Sequence, residues 1–171
     1  MDDGYFERSV TYICEHDEQG AMGLVVNKQT DMSVRNLLSE IQIDHPEDSP
    51  LEEHRVLSGG PVQTDRGFVL HTGSRQWSSS LQLEHDVMVT TSLDILENLG
   101  KDGGPEDFVI TLGYAGWGAG QLEEEIANNA WLTVKANKDV IFNAPASQRW
   151  DLALKQLGIT PEQLSHFAGH A

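Results

Sequence analysis

The sequence contains little positive charge. Its 171 residues include 11 lysines and arginines against 27 aspartates and glutamates, which gives a formal net charge of −16. Proteins that bind duplex DNA ordinarily present a basic face to the phosphates. The cations of this chain are scattered singly, except for the neighbours Lys135 and Lys138. We therefore predict that the protein does not bind nucleic acid directly.

Cysteine and long apolar runs are also scarce. Cys14 is the only cysteine, so no disulfide can form within the chain, which fits a reducing compartment. The opening MDDGYFERSV is acidic and lacks the apolar segment of a signal peptide. Apolar runs such as residues 24–26 are far too short to cross a bilayer. These features predict a cytoplasmic protein that does not enter a membrane.

The seven histidines form no metal-binding motif. Neither H-x-H nor H-E-x-x-H occurs, and only His166 and His170 have the i, i+4 spacing of a helical ligand pair. Gly169 lies between them and argues against a rigid helix there. We predict no metal site and no cofactor.

Strand-like and helix-like patterns alternate along the chain. Residues 9–14 and 21–26 are joined by the polar EHDEQG, which predicts a hairpin. A helix with one buried stripe is predicted from Val34 to Ile41, capped by Asp31 or Ser33. Further along, the patterns predict a loop at 43–54, strands at 55–57, 67–71, 87–90 and 108–114, β-rich runs at 131–135 and 139–143, and helices after Ser92, after residue 120, from Pro145 and from Pro161.

Connections of hairpin length dominate the first half of this pattern. A doubly wound parallel sheet needs longer crossovers, so the sheet is expected to be mixed and largely antiparallel. The sequence predicts one domain over residues 1–171, an α/β protein of the α+β type with helices packed on the sheet.

The stretch TLGYAGWGAGQLEEEI, residues 111–126, is rich in glycine and lies between a predicted strand and a predicted helix, as phosphate-binding loops do. It fits neither G-x-G-x-x-G nor the P-loop motif. The acids at 123–125 follow in the first turn of a predicted helix, where an anion would otherwise bind. We predict that the glycines, Gly116 and Gly118 among them, allow positive φ and close packing around a buried Trp117. The alternatives are that Trp117 stands at the surface as an anchor for a partner, or that the loop binds a neutral or cationic ligand or a peptide.

The segment SGGPV, residues 58–62, is a second glycine-rich turn. Successive amides at Ser58, Gly59 and Gly60 could form a small anion-binding nest beside Arg55 or Arg66. Turn chemistry favours the simpler interpretation, a tight turn that leads into the next strand.

Two sets of reactive side chains are visible in the sequence. Ser58, Asp65 and His71 could form a nucleophile set, although no G-x-S-x-G elbow accompanies them. In YICEH, Cys14 and His16 are two residues apart, so a regular strand would place them on one face. A neighbouring imidazolium would lower the pKa of the thiol. A buried, unreactive cysteine is the more common arrangement, and we predict it here.

Several longer motifs follow one another along nearly the whole chain. They are RSV, YICEH, GAMGLVVN (ending at Asn27), GGPV, RGFVLH, TTSLDIL, LGYAGWGAGQLEEEI and NAWL, then IFNAP, Trp150 and LGITPEQLS. In this order they resemble the AlgH/YqgE family of bacterial proteins. The resemblance implies a single α/β domain whose sheet bends into a partial barrel. Some members are described as regulators of exopolysaccharide (alginate) genes, and the family brings no established catalytic residue or cofactor.

The sequence departs from the family at its beginning. Family members usually start with an apolar segment of the type HFLVAMP before the position of Tyr5 and Phe6, whereas Met1 stands just after it here. The resemblance therefore implies that the chain lacks the family's first strand. A missing strand would leave a sheet edge unpaired.

The first functional hypothesis is a cytoplasmic, non-enzymatic regulatory protein that acts through protein contacts with an unknown partner. The alternative is a small-molecule-binding protein or an enzyme, with a pocket near Cys14, His16, Gly60 and His71. Convergence of the thiol and the two imidazoles in one cleft would favour an enzyme, and their dispersal would favour a partner surface. The candidate ligand or partner residues are Cys14, His16, Asn27, Ser58, Gly59, Gly60, Arg66, His71, Gly116, Trp117 and Gly118.

Overall fold

The computed structural model describes residues 6–43, 54–73, 75–84, 86–160 and 162. The strands are β1 Thr11–Asp17, β2 Gly20–Val25, β3 Gln29–Ser33, β4 Arg55–Ser58, β5 Val62–Thr72, β6 Ser80–Gln82, β7 Val87–Thr90 and β8 Phe108–Gly118. The helices are α1 Val34–Glu40, α2 Leu93–Leu96, α3 Gln121–Ala127 and α4 Arg149–Gln156, with a π-helical turn at Asp139–Asn143 and a 3-10 turn at Ala146–Gln148.

The strands form one mixed sheet that is antiparallel apart from a single pair. Its main path runs β1-β2-β8-β5-β7-β6, and β4 joins it by pairing in parallel with β8 and antiparallel with β3. The sheet curls into a half-barrel against which the helices pack. The predicted fold class, with its largely antiparallel sheet bent into a partial barrel, is confirmed.

Strand alternation builds a separate core on each face of the sheet. Phe68 and Leu70 of β5 belong to the inner core, which the turns near Ile141 and Ala146 help to cover. Val69, between them, faces the outer core together with residues of α1 and α2. Both faces of the sheet are therefore largely covered.

Helix α1 begins where the sequence indicates. Ser33 is the N-cap: its side chain accepts a hydrogen bond from the Asn36 amide, and Asn36 Oδ1 accepts one from the Ser33 amide, a reciprocal capping box. Val34 and Leu38 then turn their side chains into the outer core. Of the two caps considered, Ser33 is the one used.

The prediction of β-rich runs at 131–135 and 139–143 is wrong. Residues 131–137 form neither helix nor strand, and Asp139–Asn143 is a π-helical turn. The Asn137 side chain accepts a hydrogen bond from the Asp139 amide and so starts a turn there, and Ile141 enters the inner core. Short apolar runs suit either structure, and the hydrogen bond to the Asn137 side chain favours the turn here.

The glycines around Trp117 behave differently from the prediction. Strand β8 continues through Gly118, so Gly116 and Gly118 are strand residues without positive φ. The left-handed positions are Gly113, with φ 81°, and Gly120, with φ 73°. The strand persists because Trp117 and Gly118 pair with β2. The predicted acidic first turn of the next helix is confirmed in α3.

Some predictions concern the last part of the chain. Pro145 leads into the 3-10 turn that precedes α4, so the helix begins a few residues later than predicted. The helix predicted from Pro161 and the pair His166 and His170 lie outside the described residues, as does most of the predicted loop 43–54. Among the described residues, no helix is long and apolar enough to span a membrane.

Candidate functional site

A cleft of about 410 Å³ opens on the inner side of the curved sheet. Strand β1 supplies Cys14 and Glu15 to one wall, and β6 supplies Ser80 and Leu81 to the other. These strands are the two ends of the main strand path, so the curl of the sheet is what makes the cleft. The remaining lining residues are Met22, Arg66, Phe68, Ser79, Val89, Thr91 and Tyr114.

Three of the polar side chains that line this cleft have no hydrogen-bond or ion-pair partner among the described residues. Arg66 Cζ lies 5.3 Å from the centroid of the Phe68 ring, a cation–π contact. Tyr114 meets the same ring edge to face, with centroids 5.8 Å apart. Within the part of the chain that the structure describes, the side chains of Arg66, Glu15 and Tyr114 make no hydrogen bond or ion pair. Polar groups that make no bond within the described protein thus stand beside an apolar floor.

Cys14 occupies a β-bulge in the wall of the cleft. The pairing passes from Ile13 opposite Gly23 directly to Glu15 opposite Met22, so Cys14 has no partner on β2. Burial, and secondly the charge of Glu15, raises the pKa of the Cys14 thiol to about 12. At neutral pH the side chain is therefore a neutral thiol, which is a poor nucleophile.

The bulge separates Cys14 from His16, so the prediction that they share a face is wrong. One extra residue shifts the alternation of side chains. Cys14 lines the cleft, whereas His16 Nε2 lies 2.5 Å from Glu123 Oε1 on α3. The hydrogen bond from His16 lowers the pKa of Glu123. The His16 side chain therefore bonds to the Glu123 carboxylate and is not placed to activate the Cys14 thiol.

Native Cys14 is expected to react slowly with iodoacetamide at neutral pH, because only the thiolate attacks and burial disfavours it. The measurement is the labelling rate followed by mass spectrometry, with the same chain in denaturant as the control. The denatured chain should label much faster. Equal rates, or a titration midpoint below the ordinary thiol pKa, would contradict the burial of this side chain.

His71 is a core residue that does not reach the cleft. Its side chain is 1% exposed, with Nδ1 3.1 Å from the Thr72 carbonyl and Nε2 2.7 Å from Thr90 Oγ1. A carbonyl only accepts, so Nδ1 carries the hydrogen and Nε2 accepts from the Thr90 hydroxyl. Thr90 Oγ1 also lies 2.8 Å from Ser80 Oγ, on the cleft wall. The imidazole therefore fixes the hydroxyls behind that wall.

Burial lowers the pKa of His71. The unfolded chain takes up a proton near the ordinary histidine pKa of about 6.5, whereas the folded chain resists it. We expect the free energy of unfolding to decrease as the pH falls from about 7.5 toward 5, and the decrease to be smaller in His71→Gln. Urea denaturation across this range measures both slopes. Identical slopes would contradict a neutral, buried His71.

The SGGPV segment is a backbone crossing and not an anion nest. The Gly59 amide already donates to the Leu112 carbonyl, and the Gly59 carbonyl accepts from Val25. Ser58 pairs with Leu112 on one side of β8, while His71 pairs with Phe108 on the other. These two positions are about 13 Å apart along the strand, so the proposed Ser58, Asp65 and His71 set does not assemble.

Trp117 is buried as predicted, in a small cluster of aromatic residues. The indole is 5% exposed and meets Trp131 edge to face, with centroids 5.8 Å apart. Trp117 Nε1 donates to Glu125 Oε1 over 3.2 Å, and Trp131 Nε1 donates to the same oxygen over 2.9 Å. One carboxylate of α3 thus fixes two indoles, and with them the beginning of the segment after the helix.

Arg149 carries a structural role that the sequence analysis missed. It is 7% exposed, and it donates from Nη1 to the Val26 carbonyl over 2.5 Å and from Nε to the Ala144 carbonyl over 3.1 Å. Burial lowers the pKa of Arg149 to about 10, so it stays charged at neutral pH. No pattern marks it, because an arginine on an amphipathic helix ordinarily faces water.

The structure brings only two of the sequence candidates, Cys14 and Arg66, into one cleft. Asn27 is a brace: it accepts from the Val10 amide and donates to the Arg8 carbonyl, both over 2.8 Å. The other candidates lie elsewhere in the fold, namely His16, Ser58, Gly59, Gly60, His71, Gly116, Trp117 and Gly118. Glu15, Leu81 and Tyr114 were missed, although alternation along β8 gives some signal for Tyr114.

Metal ligands do not cluster in the described part of the chain. Among those residues, no group of three or more histidine, cysteine, aspartate or glutamate side chains could hold a metal ion. The cleft offers one arginine, one glutamate, hydroxyls and a neutral thiol. Such a set can hold an organic molecule by charge and apolar contact.

Comparison with known proteins identifies the family. The family described as AlgH-like (DUF179) matches residues 1–162. A UPF0301 protein of Thioalkalivibrio sulfidiphilus is 52% identical over 171 residues, which is the whole of this chain and 91% of the relative. A UPF0301 protein of Idiomarina loihiensis is 50% identical and aligns with the whole of this chain over 92% of its own length.

Two solved structures resemble this one. The solution structure of the AlgH protein from Pseudomonas aeruginosa superimposes with a TM-score of 0.79 at 41% identity, over 96% of this chain and 87% of that one. A Corynebacterium diphtheriae protein superimposes with a TM-score of 0.70 at 20% identity, over 96% and 83% of the two chains, which shows the fold alone. The match of residues 1–162 and the identity to these relatives show that the chain belongs to the AlgH-like family.

Proposed function

We propose that this chain is a non-enzymatic regulatory protein of the cytoplasm that acts through contacts with another protein. The observation that carries the proposal is the contact segment, residues 131–137. Leu132 is 40% exposed and Val134 is 38% exposed. In the described residues, no backbone group of 131–136 bonds to another backbone group. Backbone groups without a backbone partner, beside exposed apolar side chains, suit an added strand of a partner.

The surroundings of the contact segment extend this surface. Gln156 Nε2 of α4 donates to the Lys135 carbonyl over 3.3 Å, which lays the segment alongside the helix end. Leu157, the next residue, is 37% exposed. At the other end the segment is held by the Trp131 bond to Glu125. A surface that is fixed at both ends loses little conformational entropy on binding.

The arrangement of the reactive side chains supports a non-enzymatic role. Cys14 lies in the cleft, His16 pairs with Glu123, and His71 is enclosed in the core. An acid–base or nucleophilic mechanism needs such groups within hydrogen-bond reach of one another. Their separation agrees with the dispersal expected of a partner surface.

The net charge of the chain argues against direct contact with DNA. With a net charge of −16 and no basic stripe, the chain repels phosphates. The AlgH resemblance points to control of gene expression, which such a protein would exert on another protein and not on the operator. We expect that the isolated protein causes no band shift of duplex DNA at physiological salt when competitor DNA is present. A shift that survives competitor DNA would overturn this part of the proposal.

The proposal is tested by capture from native lysate with the wild type and with Leu132→Glu. Both should melt alike, because the side chain is already exposed, while the variant should lose the captured protein. Leu93→Glu is the matched control, since Leu93 is 60% exposed and lies on α2, not on the helices α3 and α4 that hold the segment. Capture that Leu132→Glu leaves unchanged, or that Leu93→Glu also abolishes, would contradict the assigned surface.

A further inference from the structure

We propose that the cleft binds a small amphipathic carboxylate, a molecule with one anionic head and an apolar tail. The site lies on β1, β2, β5, β6, β7 and β8, whereas the contact segment lies after α3. The inference is therefore independent of the proposed protein contacts. Either can fail while the other stands.

The head group is assigned to Arg66. Its guanidinium rests on the Phe68 ring at 5.3 Å, which holds the charge at the cleft wall. It has no ion-pair partner in the residues that the structure describes. A planar guanidinium with free N–H groups suits a carboxylate, which it can bind through two parallel hydrogen bonds. The Tyr114 hydroxyl, also without a partner among described residues, is a further donor in the same cleft.

The tail is assigned to the apolar floor. Met22, Phe68 and Val89 line it, and Leu81 stands at the rim with 44% of its side chain exposed. Phe68 and Val89 are already nearly covered, so an alkyl or aryl group would remove apolar surface from water mainly at Met22 and Leu81. The volume of about 410 Å³ lies within the range of small-molecule sites. Methionine adapts to tails of different shape, so the class of ligand is set by the head more than by the tail.

A cationic ligand fits this cleft less well. Glu15 is the acid that an amine would need, but among the described residues no hydrogen bond or ion pair holds its side chain, whereas Arg66 rests on the Phe68 ring. The unpaired Arg66 would repel the amine from within the same cleft. The Cys14 thiol is neutral and adds no charge. For a carboxylate the signs reverse: Arg66 attracts it and Glu15 weakens its binding.

Octanoate is the probe, titrated into the full chain and followed by calorimetry and by amide chemical shifts. We expect saturable binding with shifts at the lining residues, and no comparable binding of octanol or octylamine. Arg66→Gln should lower the octanoate affinity by about tenfold or more, the loss of a charged hydrogen bond. Arg75→Gln is the matched control, since Arg75 also stacks on an aromatic ring, 3.9 Å from the Trp77 centroid, outside the cleft. The Arg75→Gln variant should bind octanoate with the affinity of the wild type.

Glu15→Gln supplies a test of opposite sign. Removing this carboxylate should raise the octanoate affinity, because a like charge leaves the cleft. Melting curves of each variant establish that the fold is retained. The proposal is overturned if octanoate does not bind at millimolar concentration, if octanol binds as well as octanoate, or if Arg66→Gln and Arg75→Gln have equal effects.

Discussion

Gly60→Ala should destabilise the protein by about 3 kcal/mol or more, a large part of the stability of an ordinary domain. A Cβ at Gly60 would overlap the carbonyl carbon and oxygen of Tyr114 and the amide of Ala115. These are backbone atoms of β8, which cannot turn aside as a flexible side chain can. Urea denaturation measures the effect.

The clash follows from the path of the chain. Strand β4 pairs with β8 at Leu57–Thr111 and Ser58–Leu112 on one side, and β5 pairs with β8 on the other. The chain must therefore cross β8 between residues 58 and 62. Gly113 on β8 takes φ 81° at this crossing, and a Cβ there would overlap the Gly60 carbonyl. Two backbones pass in contact, which only glycine permits.

Gly118→Ala is the matched control for this prediction. Its added Cβ would meet only Gln121 Oε1 at 3.9 Å, an ordinary contact, and Gly118 has no positive φ. Gly116→Ala is similar, with Tyr114 Cε2 at 3.6 Å. Both should change the free energy of unfolding by less than about 1 kcal/mol. A cost at Gly118 equal to that at Gly60 would contradict the crossing.

Trp117→Ala should destabilise the protein by about 3–5 kcal/mol, the usual cost of removing a buried aromatic side chain. The 5% exposed indole fills the space between β8 and α3, where Ala115 and Leu122 complete its cluster. Its removal also frees the Glu125 oxygen that Trp131 shares. Thermal melting and urea denaturation measure the loss.

Trp117→Phe separates packing from the hydrogen bond. The phenyl ring keeps most of the buried area but cannot donate to Glu125, so its cost should be clearly smaller than that of Trp117→Ala. Glu125→Gln should loosen both indoles while leaving them buried. Unchanged melting of Trp117→Ala together with lost partner capture would show that the indole is a recognition surface, contrary to the buried cluster.

Periodicity in the sequence predicts much of the fold. The hairpin of β1 and β2 and the strand at 108–114 form where the sequence indicates, and the helix after Ser33 buries Val34 and Leu38 of its predicted stripe. Local signals of this kind depend only on residues close in sequence. The curl of the sheet depends on how β1 and β6, which are far apart in the sequence, approach each other. Only the family resemblance predicted it.

The candidate site was harder to predict because a single unpaired residue, Cys14, changes which side chains face the cleft. The bulge at Cys14 reverses the faces of Cys14 and His16, and nothing in YICEH marks an unpaired residue. Likewise, Arg66 of β5 and Leu81 of β6 line the same cleft only because β7 lies between these two strands in the sheet. Alternation within a strand gives the face of a residue but not its neighbours across a curved sheet.

The buried aromatic cluster is connected directly to the contact segment. Glu125 holds Trp131, and Trp131 begins the segment that carries Leu132 and Val134. Phe6 also packs on Trp131, with ring centroids 5.4 Å apart. The segment is thus presented by a rigid base without being covered by it.

Hydrogen–deuterium exchange of residues 132–136 tests the proposed contact most directly. Their amides donate to no backbone carbonyl among the described residues, so they should exchange rapidly in the free protein. In the complex captured from lysate they should become protected, while the amides of α2 stay as they are. Rapid exchange that the partner does not slow, or protection already present in the free protein, would contradict a contact made through this segment.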